Sequence, residues 1–237
     1  MAHLREYDDI QYWDKRYLDE GDDTFDWYQR FKELKPLLCR YIKKDSRILM
    51  AGCGNAVLSE EMVLNGFKEI VNIDFSSVVI KKMQQRHRHI PQLTCIFYPW
   101  YSHLNDVTMD VRNMAVFGDN SFDAVIDKGL MDSMLCGSNG FIDVSFMLEE
   151  TRRVLKPGGV FILITYGEPL LRMHHLKHPA LDWKVVLHLT PKPGTTAYIP
   201  EAYAGAIPMN GNWECDFLLG ISDPDINFVY VCTKPSS

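Results

Sequence analysis

From Ser46 onward the chain alternates short apolar runs with stretches in which apolar residues recur every three or four positions. That alternation predicts repeated βαβ units and a mostly parallel sheet with helices on both faces. The runs place strands at Arg47–Ala51, Ile70–Asp74, Phe122–Asp127 and Val160–Thr165, the last after a Lys156–Gly159 turn. Helices are expected at Ser59–Asn65, ended by Gly66, at Ser76–His89, opened by the N-cap residues Ser76 and Ser77, and at about Ile142–Val154. Before Ser46, the near-helical recurrence of Phe25, Trp27, Phe31, Leu34, Leu38 and Tyr41 predicts a helical lead-in that covers the sheet. After Trp183, two more strands are expected around Lys184–Leu189 and Asn227–Cys232, joined by a loop punctuated with Gly and Pro. The reading is one unit, a 1–45 lead-in followed by a 46–237 α/β domain.

Composition narrows the picture. A chain of 237 residues with 46% hydrophobic and 24% charged residues carries enough apolar material for a packed core. Its net charge of −6 opposes a phosphate backbone and favours a basic protein partner over nucleic acid. The six cysteines show no C-x-x-C pair and no zinc spacing, the N-terminus lacks a signal-peptide pattern, and no run approaches ~18 apolar residues. The expectation is a cytoplasmic protein with reduced thiols, no metal and no membrane anchor.

The segment Ile48–Ala56 is an apolar strand that breaks at Gly52-Cys53-Gly54 and opens a helix. Such a turn lets a ligand approach bare backbone at the carboxyl end of a strand. Twenty residues after Gly54, Asp74 ends the next strand, where a carboxylate accepts hydrogen bonds from ribose hydroxyls. Two nucleoside ligands fit this pair, a dinucleotide and S-adenosylmethionine. Val57 stands where a dinucleotide fingerprint needs its third small residue, which weakens the first. Asp110 with Val111, at the end of an expected third strand, suits the amino group and ring nitrogen of adenine.

These features lie within further motifs: Tyr12–Tyr17 (YWDKRY), Asp26-Trp27, Val71–Val79 (VNIDFSSVV), Met109–Asn113 (MDVRN), Ser121–Asp132 (SFDAVIDKGLMD) and Arg153–Gly159 (RVLKPGG). Together they resemble the class I, seven-stranded, Rossmann-like S-adenosylmethionine-dependent methyltransferases. The resemblance is greatest to the branch that methylates lysines of translation elongation factor 1-alpha. It implies a cofactor site formed by Trp13, Tyr17, Trp27, Gly52, Gly54, Asp74, Phe75, Asp110, Val111 and Lys128, with Lys128 pairing with the methionyl carboxylate. It also implies a protein substrate, elongation factor 1-alpha. The aromatic residues of the lead-in then close over a sulfonium cation.

For methyl transfer to lysine, the protein must position two partners and exclude water. It must also favour the neutral amine of a side chain whose ordinary pKa is about 10.4. Asp127 and Asp132, flanking Lys128-Gly129, are the candidate groups that orient that amine, with strand-end and helix-cap roles as their alternatives. The chain departs from the family at Met50 and Ala56 in the first turn, at an insertion over Cys95–Val107, and over Thr190–Ser222. A small-molecule methyltransferase and a catalytically silent cofactor-binding protein are the competing readings.

Overall fold

In the computed structural model, which describes residues 7–95, 109–195, 198–199, 201, 204–209 and 225–236, the predicted strands assemble into one sheet. In chain order the strands are β1 (Arg47–Ala51), β2 (Glu69–Ile73), β3 (Leu93–Cys95), β4 (Phe122–Lys128), β5 (Leu155–Thr165), β6 (Lys184–Pro191), β7 (Ile207–Pro208) and β8 (Ile226–Thr233). Their order across the sheet is β3-β2-β1-β4-β5-β8-β6-β7. The first five are parallel, and β8 runs antiparallel between β5 and β6. The two-residue β7 adds an edge to the expected seven strands. The helices are α1 (Ile10–Asp19), α2 (Phe31–Tyr41), α3 (Leu58–Leu64), α4 (Ser77–His87), α5 (Leu130–Met134), α6 (Gly140–Val154) and α7 (Pro169–Leu176).

Because strand side chains alternate, each strand feeds two cores. On one face Ile48, Met50, Ala124, Ile126 and Ile162 pack with Phe31, Leu34 and Leu38 of α2, Leu58 and Met62 of α3, and Val79, Ile80 and Met83 of α4. On the other, Leu49, Ala51, Val125, Phe161 and Leu163 meet Met131 of α5, Val144, Met147 and Leu148 of α6, and Met173 and Leu176 of α7. Burial on both faces explains why these strands read as continuous apolar runs instead of alternating ones.

Two local expectations are corrected. The stripe from Phe25 to Tyr41 is helical only from Phe31 onward, and Phe25 and Trp27 lie in a non-helical segment that crosses the cleft described below. The Lys156–Gly159 turn sits inside β5: Phe122 pairs with Leu155 and Ala124 with Val160, so the Pro-Gly-Gly stretch bulges out of the strand. The caps at Ser76, whose side chain accepts from the Val79 N–H, and at Gly66, with φ of 94°, follow the sequence reading. Residues 96–107 of the insertion, and much of the 190–222 loop, lie outside the described residues.

Candidate cofactor cleft

The sheet order reverses between β1 and β4, so the chain leaves these neighbours in opposite directions and a crevice opens at their carboxyl ends. A cleft of about 1180 Å³, counted out to its open mouth, occupies that place. Its wall includes Trp13, Tyr17, Trp27, Gly52, Gly54, Asp74, Phe75, Asp110, Val111 and Lys128, so all ten expected cofactor residues converge there.

The floor begins with the glycine turn. Gly52 has φ of 61°, and a Cβ on it would come within 3.0 Å of the Leu130 side chain, so both the backbone and the space call for glycine. The Cys53 N–H donates to the Ile73 carbonyl at 2.9 Å and ties the turn to β2. Asp74 follows β2 directly. Its carboxylate accepts the Gly54 N–H and the Ser76 N–H, each at 3.0 Å. Burial raises its pKa to about 6, against the pull of those N–H groups.

The chain returns from the insertion where the Met109 N–H donates to the Asp74 carbonyl at 3.2 Å, which fixes Asp110 on the rim beside Asp74. The Asp110 carboxylate is gripped by Arg112, with Arg112 Nη2 at 2.6 Å, and Arg112 also reaches Asp143 of α6 at 2.8 Å. The arginine holds the Asp110 carboxyl below the usual carboxylate range, although partial burial alone acts in the opposite sense.

The lead-in supplies the opposite wall. Trp13 and Tyr17, one turn apart on α1, stack at 5.6 Å between ring centroids, and the Tyr17 hydroxyl approaches Gly54. Arg16 projects from the same helix, with its guanidinium 4.9–5.5 Å from the ring centroids of Trp13, Phe25 and Trp27 and 2.7 Å from Glu20. Asn55 donates to Glu20 and to the Asp23 carbonyl, both at 2.9 Å, which fastens the lead-in to the glycine turn.

Three expected residues have partners of their own within the chain. Lys128 lines the cleft, but its amine is 2.8 Å from Asp26 and donates to the Trp27 carbonyl at 3.1 Å. Burial lowers its pKa while Asp26 draws it back up. Asp127 is fully buried beneath the cleft and accepts the Leu130 and Met131 N–H groups at 2.8 and 3.0 Å, anchoring the start of α5. Burial, with Asp132 adding to it, raises its pKa to about 7. Asp132 accepts from Arg172, Thr165 and the Tyr28 hydroxyl, the last at 2.6 Å, and its side chain is 5% exposed. Neither aspartate is among the residues of the cleft wall.

Sequence reasoning missed Arg16 although it lies inside the quoted YWDKRY motif. Its one-turn spacing from Tyr12 on α1 and from Glu20 at the C-cap was the available signal. Asp26 and Arg172 carried no such signal, because their partners are 102 and 40 positions away.

The wall suits S-adenosylmethionine by its donor set. It offers carboxylates for the ribose hydroxyls and the adenine amine, aromatic faces for a flat base and a sulfonium, and a guanidinium for the methionyl carboxylate. Residues 49–163 match the family described as Methyltransferase domain. EEF1A lysine methyltransferase 4 of Mus musculus is 38% identical over 189 residues, covering 76% of this chain and 69% of that protein. The eEF1A lysine and N-terminal methyltransferase of Homo sapiens is 34% identical over 78% of this chain, a region that makes up 25% of that longer protein. A crystal structure of an S-adenosylmethionine-dependent methyltransferase from Methanosarcina mazei superposes with a TM-score of 0.50 at 20% identity, covering 90% of this chain and all of that one. Sheet order, cleft and sequence relatives agree: this chain is an S-adenosylmethionine-dependent methyltransferase of class I, and it belongs to the family of EEF1A lysine methyltransferase 4.

Proposed function

We propose that the chain is a protein-lysine N-methyltransferase acting on a lysine of translation elongation factor 1-alpha. The observation that carries this reading is the 38% identity with the mouse enzyme of that name across three quarters of the chain. When bound, S-adenosylmethionine supplies a methyl group on a sulfonium leaving group. The residues of this chain bind, orient and exclude water.

In this reading Asp74 holds the ribose, Asp110 and Val111 meet the adenine, and Phe75 packs against the base. Gly52 and Gly54 keep the backbone open, while Trp13, Tyr17 and Trp27 cover the cofactor as the 1–45 lead-in closes on the 46–237 domain. Arg16 and Lys128 are the two cations of the wall that suit the methionyl carboxylate, each also held by a carboxylate of the chain, Glu20 and Asp26. Asp127 and Asp132 act as positioning residues: the first sets the backbone that follows Lys128, and the second sets Tyr28. The net charge of −6 favours a lysine-rich protein surface as partner. Among the described residues no helix is long and apolar enough to cross a membrane. Among the described residues Cys39, Cys53, Cys136 and Cys232 form no disulfide.

The direct test incubates the purified protein and labelled S-adenosylmethionine with a cytosolic lysate and with purified elongation factor 1-alpha, then maps the label by mass spectrometry. Methyl-lysine on the factor is the expected result. Cofactor binding without any labelled protein points to a small-molecule substrate, and absent binding to a silent module.

A further inference from the structure

The cofactor residues Gly52, Gly54, Asp74 and Asp110 belong to the β1–β2–β3 half of the sheet, so an acceptor must approach over the carboxyl ends of the other half. There β4 ends in Lys128-Gly129 and β5 in Thr165-Tyr166. Gly129 has φ of 92°, and a Cβ on it would lie 3.3 Å from the Tyr28 ring, so the bare backbone carries that ring directly. The Tyr28 and Tyr166 rings stand 6.2 Å apart, and Tyr166 is 52% exposed. Leu170 and Leu171, in the first turn of α7, continue this exposed surface.

Tyr28 is held at a cost. Its φ is 61°, and the Gln29 N–H donates to the Trp27 carbonyl at 2.8 Å, which makes a three-residue turn with a left-handed tyrosine at its centre. Backbone of this kind persists only where its surroundings over-determine it, and it gathers at ligand sites. Here the surroundings come from three directions. Lys128 binds the Trp27 carbonyl, Asp132 accepts the Tyr28 hydroxyl, and Gln29 Nε2 donates to Thr190 at 3.1 Å and to the Pro191 carbonyl at 2.7 Å at the end of β6.

We propose that the acceptor lysine enters over Gly129 across the adjoining rings of Tyr28 and Tyr166, and that Asp132 is the positioning residue that sets Tyr28. Their aromatic faces guide the aliphatic stem and receive the amine.

The inference rests on the protein-lysine reading, so the wild type is assayed first on elongation factor 1-alpha. If no lysine is labelled, the reading and the inference both fall. With labelling established, Tyr166→Ala and Tyr28→Phe are compared with the wild type in steady-state kinetics and in calorimetry with S-adenosylmethionine. Tyr166→Ala is expected to raise the KM for the protein substrate about 10-fold, and Tyr28→Phe to lower kcat by a similar factor, with cofactor affinity within about twofold in both. Wild-type kinetics in both variants overturn the inference alone. A parallel loss of cofactor affinity also overturns it, by assigning the rings to the cofactor. Tyr166 is exposed, so its variant keeps the test open if Tyr28→Phe folds poorly.

Discussion

Asp74, just past the end of β2, and Asp127, next to last in β4, lie at the carboxyl ends of the two strands that flank β1, and they make an instructive pair. Each is buried, each accepts two backbone N–H groups, and each has its pKa raised by burial, to about 6 and about 7. One forms the wall of the cleft and the other lies under it. The difference comes from where the next segment goes. After Asp74 the carboxylate bonds across to the neighbouring glycine turn, which leaves it at the crevice. After Asp127 the chain turns at once into α5, whose first N–H groups draw the carboxylate beneath the backbone. An acidic residue at a strand end therefore lines a cleft or caps a helix according to its neighbours' path.

The largest effect is expected at Asp132. Its replacement by alanine strands the buried guanidinium of Arg172 and should lower unfolding free energy by about 3–5 kcal/mol in denaturant titrations. A loss under ~1 kcal/mol would show that water already serves this network. Next comes the crossed pair. Asp74→Ala should weaken S-adenosylmethionine binding roughly 10- to 100-fold, the worth of charge-assisted hydrogen bonds. Asp127→Ala should destabilise the fold by about 1–3 kcal/mol while the folded fraction binds cofactor within about twofold of the wild type. Equal loss of affinity in both variants breaks the comparison.

A further pair of effects is in pH. A folded pKa above the unfolded one disfavours the ionised state in the fold, so Asp127 contributes most at low pH, and that contribution is lost as pH rises from about 4 to about 7. The unfolding free energy of Asp127→Asn should accordingly gain on the wild type across that interval. In the proposed site Asp74 binds as a carboxylate, so cofactor affinity should be flat above pH 6 and fall about tenfold per unit well below it, with Asp74→Asn abolishing the slope.

Local patterns carried the central elements because their causes are local. The Arg47–Ala51 strand, the Ser76 cap and the Gly66 stop each depend on residues within a few positions. Phe25 and Trp27 were misread as helical because their apolar spacing reflects contact with a cleft and not with a helical face. The Lys128 assignment missed its partner for a related reason. A strand-end lysine beside a cofactor site looks free until a residue 102 positions earlier is folded against it.

By itself the sequence determined the alternation of strands and helices, the glycine turn, and the acidic residues at the strand ends, since backbone conformation and two-faced burial are written in residue type and period. Only the tertiary structure decided which carboxylate faces the cleft, that Asp26 neutralises Lys128, and that Tyr28 is pinned over Gly129. Those outcomes depend on contacts between segments distant in the chain, and short-range patterns do not encode them.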